Sequence, residues 1–163
     1  MPAWWNIPLL AVALFGSTGL AAAGSQLPAP RADDMQAVQA CLSSRTAFEQ
    51  GSCIGAASTL CLKKADSQQR MTDCMTRERA VWDMFLNNDY QAIMQSRMSP
   101  QARQVLLDIE RKFVADTEQR CTFIRTFAGY SSFIQVVEIE ECWMQATAAQ
   151  WLWLRDFLPE KNR

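Results

Sequence analysis

The 163-residue chain carries 16 Lys and Arg against 17 Asp and Glu, a net charge of −1, and no histidine at all. Without a basic excess it has no field to hold nucleic acid. Without histidine it lacks the commonest general base and metal ligand, so Ser-His-Asp and Cys-His catalytic units are excluded.

The first thirty residues contain no ionisable side chain, and Arg31 is the first. Ile7–Phe15 forms a short apolar core, Gly16-Ser17-Thr18-Gly19 loosens it, and Ala21-Ala22-Ala23 offers small residues to a signal peptidase. This pattern predicts a cleaved export signal over residues 1–23 and a flexible N-terminus over 24–32. The n-region Met1–Asn6 lacks the Lys or Arg usual in a signal, and the rival is an uncleaved membrane anchor, since the charge-free stretch is long enough to span a bilayer. The mature chain is then periplasmic or secreted, and meets a membrane only if the leader is retained.

Residues 33–158 read as one all-α domain, with 159–163 as a C-terminal tail. Asp33 or Asp34 is expected to cap a first helix that carries Met35, Val38, Cys41 and Leu42 and ends near Gly51. A short second helix is expected over Ile54–Leu62, followed by a polar connector, Lys63–Ser67. In the long third helix Met71, Cys74, Met75, Val81, Trp82, Phe85, Leu86, Tyr90, Ile93 and Met94 recur at helical spacing. Ser99 and Pro100 provide an N-cap and an N1 proline for a fourth helix, whose stripe runs Leu106, Ile109, Phe113, Thr117, Cys121, Ile124, Phe127. Gly129–Ser132 is a turn, and Ser132 with Gln135 makes a capping-box pattern for a fifth helix.

That last helix has an apolar arc of about 200°, where a surface helix needs roughly 100°. It is either central to the bundle or partly a contact surface. The predicted architecture is a disulfide-stapled bundle of four to five helices, two or three of them long and antiparallel.

Six cysteines behind an export leader suggest a structural disulfide framework. Six cysteines allow fifteen pairings. Each turn between consecutive helices is flanked by two of them, so nearest-neighbour pairing, Cys41–Cys53, Cys61–Cys74 and Cys121–Cys142, would staple three helical hairpins. An exchange of partners between Cys53 and Cys61 is the alternative. No C-x-x-C motif is present, which argues against zinc or thioredoxin-type redox chemistry. The eight methionines are scattered, a pattern of core filling rather than copper binding. No cofactor or metal is expected.

In combination, these residues resemble the lysozyme inhibitor LprI-like N-terminal domain family. The matching positions are Cys53 to Ala57 with Gly55, then Cys61, Cys74, Glu78, Trp82-Asp83, Leu86-Asn87, Tyr90, Glu110 to Phe113, Cys121, and Cys142 with Thr147-Ala148. The chain departs from the family pattern at Phe113, where Trp is usual, at Thr117-Glu118, where Arg-Asp is usual, and at Ala149, where Arg is common. The resemblance implies a small exported helical domain that binds a protein, lysozyme or another envelope protein, without enzymatic chemistry.

Three candidate surfaces follow. The Phe127–Phe133 turn, with Tyr130, Ser131 and Ser132 at its tip and stiffened by a Cys121–Cys142 bridge, could enter a lysozyme cleft; its ordinary alternative is a helix–helix turn whose aromatics fold back into the core. The acids Glu138 and Glu141 could attract a basic partner, or simply favour a helix N-terminus. Glu140 falls inside the apolar arc, where Arg120 or Arg111 would be its partner. In the third candidate, Glu78, Trp82, Asp83 and Tyr90, the aromatics are expected in the core and Glu78 in a salt bridge or on the helix surface. An envelope partner docking on the apolar face of the last helix is the competing functional reading.

Overall fold

The computed structural model describes residues 27–127 and 132–158, except the side chains of 132–134. The predicted signal, its cleavage site, Tyr130, Ser131 and the 159–163 tail lie outside the described residues, as does the side chain of Ser132. Among the described residues there are only helices: α1 (Ala32–Ser43), a 3-10 segment (Ala47–Cys53), α2 (Ala56–Leu62), α3 (Gln68–Gln95), α4 (Pro100–Thr126), α5 (Ser132–Leu154) and a closing 3-10 turn (Arg155–Phe157).

All three nearest-neighbour bridges are present, Cys41–Cys53, Cys61–Cys74 and Cys121–Cys142, each with its Cα atoms 5.6 Å apart. The first explains why the opening helix is shorter than its pattern suggests. A continuous helix would hold Cys41 and Cys53 about 18 Å apart. The chain instead stops at Ser43, where the hydroxyls of Ser43 and Ser44 donate to the carbonyls of Gln39 and Cys41. It restarts at Thr46, whose N–H and hydroxyl both donate to the Glu49 carboxylate.

Neither Asp33 nor Asp34 caps α1; Arg31 holds that position without a side-chain cap. Asp34 turns inward and is only 5% exposed. Its two oxygens accept Arg77 Nε at 2.8 Å and Nη2 at 2.6 Å, tying α1 to α3. α2 begins later than expected because Gly55 sits at φ 98°, a left-handed conformation open to glycine at little cost. α4 begins as its sequence indicates, and α3 is capped by a residue of the expected connector. Ser67 accepts from the Arg70 N–H, and Ser99 accepts from the Ala102 N–H ahead of which Pro100 takes the first helical position.

The core lies along α3. Val81, Trp82, Leu86 and Ile93 meet Met144, Ala148, Trp151 and Leu154 of α5, with Val38, Cys53 and Ala57 closing the α1–α2 side. Trp82, Phe85 and Trp151 pack edge-on or tilted, with ring centroids within 6.0 Å of one another. Burying each such ring stabilises the fold by about 2–3 kcal/mol.

α5 packs between α3 and α4, and α4 reaches the bundle chiefly through α5. This resolves the wide apolar arc: one side of α5 serves α3 and the adjoining side serves α4. Trp153 and Phe157 are left over, exposed and paired at 5.0 Å.

Candidate functional site: an acidic and aromatic groove beside the Cys121–Cys142 bridge

The α4–α5 hairpin runs antiparallel. Gln150 donates to Glu110 at 2.7 Å near one end, and the Cys121–Cys142 bridge joins the helices towards the other. Beside the bridge is a groove of about 730 Å³. Its α4 wall presents Phe123, 61% exposed, and Phe127, 51% exposed, with ring centroids 5.5 Å apart. Its α5 wall presents Glu138, Glu141 and Gln145.

Gln145 donates to Glu141 at 2.9 Å, which fixes one carboxylate within the wall. The cation lining the groove, Arg120, is held by Asp116 at 2.8 Å. The groove is therefore acidic on one side and aromatic on the other, with Cys142 of the bridge in its lining.

Of the residues expected at a partner surface, Glu138 and Glu141 are brought together here. Phe123 was not foreseen. Its signal is its position: it falls off the apolar stripe that carries Phe113, Thr117, Cys121 and Ile124, and an aromatic side chain off the buried stripe is a candidate for contact.

Glu140, by contrast, faces inward. Its partner is neither Arg120 nor Arg111 but Arg79, at 3.3 Å, with Thr76 donating to the same oxygen at 3.4 Å. Arg111 pairs with Asp108 on its own helix. The Arg79 guanidinium also covers the Trp143 ring at 4.6 Å. The lock ties α3 to α5 and turns Glu140 away from its two acidic neighbours.

The residues of the long-helix signature do internal work. Glu78 is fully buried and, among the described residues, has no salt-bridge partner. One carboxylate oxygen accepts the Gly55 N–H at 2.7 Å and the Trp82 indole N–H at 2.9 Å. The other accepts the Ser58 N–H at 2.6 Å. Glu78 thus supplies from α3 the acceptors that the first turn of α2 lacks. Leu86 is core and Tyr90 packs against it. Thr147 is buried, its hydroxyl donating to the Trp143 carbonyl. Asn87 is exposed and donates to Asp83. Burial pushes the Asp83 carboxyl above its ordinary pKa, against the pull of Arg79 and Asn87.

A second, apolar groove of about 490 Å³ lies at the other end of α5, lined by Ile93, Val105, Ile109, Trp153 and Phe157. Among the described residues no cluster of acidic and cysteine side chains is arranged to hold a metal. No described helix is long and apolar enough to cross a membrane.

A family model described as lysozyme inhibitor LprI matches residues 61–154, more than half of the chain. No curated protein and no solved structure matches it.

Proposed function

Since the chain belongs to the lysozyme inhibitor LprI family, we propose that it is an exported, non-enzymatic protein that binds lysozyme and blocks it by steric and electrostatic occlusion. The observation that carries this reading is the groove beside the Cys121–Cys142 bridge. Its carboxylates suit a basic enzyme, and its exposed phenylalanines supply apolar contact. The bridge holds the two walls together before binding, so little order has to be gained on contact.

Three disulfides and no free cysteine support an oxidising address, periplasmic or secreted. Inhibition by occlusion needs no catalytic group, and the partner's two cleft carboxylates are simply kept from substrate.

The test is clearing of a cell-wall suspension by lysozyme, with and without the purified mature protein. Turbidity is expected to persist at micromolar protein and to be lost again in Glu138→Lys with Glu141→Lys. No protection against lysozymes of several classes would remove the inhibitor reading.

A second reading is favoured by one observation, the exposed Trp153–Phe157 pair over the apolar groove. There the protein holds an envelope partner through the last helix. It predicts an envelope protein that co-purifies, is lost on Trp153→Asp and is kept on Tyr130→Ala.

A further inference from the structure

The register of the α4–α5 hairpin places the two walls of the acidic groove relative to one another. The pairs Glu110–Gln150 and Cys121–Cys142 fix the helices as antiparallel. Counting away from the bridge at about 1.5 Å per residue, Phe123 lies about 3 Å along and Phe127 about 9 Å. On the facing helix Glu138 lies about 6 Å along, between the two rings, and Glu141 only about 1.5 Å. Glu141 is engaged by Gln145, whereas Glu138 stands at a level between the two rings.

We infer that this groove recognises arginine in preference to lysine, so that its partner presents an arginine side chain on a basic surface. The inference rests on the occlusion reading for the partner's identity and on the hairpin register for its chemistry. A guanidinium is planar and weakly hydrated. It stacks on an aromatic face while its N–H fork donates to a carboxylate. The groove's lining carries both kinds of group, Phe123 and Phe127 from one wall and Glu138 from the other. An ammonium can satisfy the carboxylate but has no plane to stack and keeps more of its water. Charge favours any cation here, since Arg120 is already engaged by Asp116. Selection between cations falls to the rings.

The probes are two capped peptides, identical except that one carries arginines where the other carries lysines, titrated into the whole mature protein. The arginine peptide is expected to bind roughly five- to tenfold more tightly. In the unsubstituted protein, backbone amide shifts should gather at residues 120–127 and 138–145. Phe123→Leu with Phe127→Leu should erase the preference while leaving weak binding of both peptides, and Glu138→Gln should weaken both. Equal affinity for the two peptides, binding of neither, shifts elsewhere, or a preference that survives loss of both rings would each overturn the inference. The turbidity assay decides the parent reading separately. Lysozyme inhibition without arginine preference leaves occlusion standing alone, and arginine preference without inhibition leaves the groove in search of another basic partner.

Discussion

Glu78 sets the terms at the scale of single residues. Its carboxylate is fully buried yet satisfied by three N–H donors, two of them backbone groups that open α2. Glu78→Gln keeps the shape but turns an amide NH2 towards at least one of those donors. The expected cost is about 2–3 kcal/mol, read as a fall of roughly 10 °C in melting temperature, with affinity for the groove unchanged in the folded fraction. Gly55→Ala should act on the same joint, because alanine is strained at that positive φ. Glu110 gives a test with the opposite sign. Burial raises its pKa above the ordinary 4.5, and the Gln150 hydrogen bond only partly offsets this. The folded state therefore holds that proton more tightly than the unfolded chain, and stability falls as pH rises from 4.5 through the folded pKa. Glu110→Gln should raise the melting temperature slightly at neutral pH, and the gain should vanish below pH 4.5. Melting curves of both proteins at the two pH values check this.

Elements were legible in the sequence where the determinants are local. The Ser99-Pro100 start of α4 and the apolar spacing of α3 rest on residues within a turn of each other, whereas Ser67, read as part of a polar connector, turned out to cap α3. The bridge pairing was legible as well, because each bridge spans one helical turn-around. Most of what escaped depends on partners far along the chain. Asp34 looked like a cap because nothing nearby announces Arg77, 43 residues on. Glu140 was assigned to arginines of α4 when the partner stood on α3. The break after Ser43 was missed although its marks are local, for Thr46 and Glu49 form a capping box that restarts the chain. At the candidate site, the acids were visible as charge, but the exposure of Phe123 follows from α4 packing chiefly on one neighbour, α5. The hairpin carries its own prediction. Cys121→Ser with Cys142→Ser should cost about 3 kcal/mol and weaken binding in the groove beyond what the melting curve explains. Removing Cys41 and Cys53 should cost a similar stability and spare binding. Parallel melting and titration of the two variants separate these outcomes.

For the whole molecule, a net charge of −1 means that the protein as a body neither attracts nor repels a basic partner. Any electrostatic help is confined to the acidic wall, within a Debye length of about 8 Å at physiological salt. Raising ionic strength should therefore slow association with a basic lysozyme only a few-fold, well short of the steep loss seen when a whole surface is charged. Stopped-flow association at several salt concentrations measures it. The absence of histidine adds to this evenness, since no side chain of unperturbed pKa changes charge between pH 5 and 8.

The three sulfur clasps follow one another along the chain and never interleave: Cys41 with Cys53, Cys61 with Cys74, Cys121 with Cys142. If the chain is exported as proposed, each can shut as soon as its own second thiol emerges from a translocation pore, before any later cysteine has arrived to compete. Oxidation in order of emergence gives the native set directly, so a dithiol oxidant acting vectorially would suffice and a shuffling isomerase would have nothing to correct.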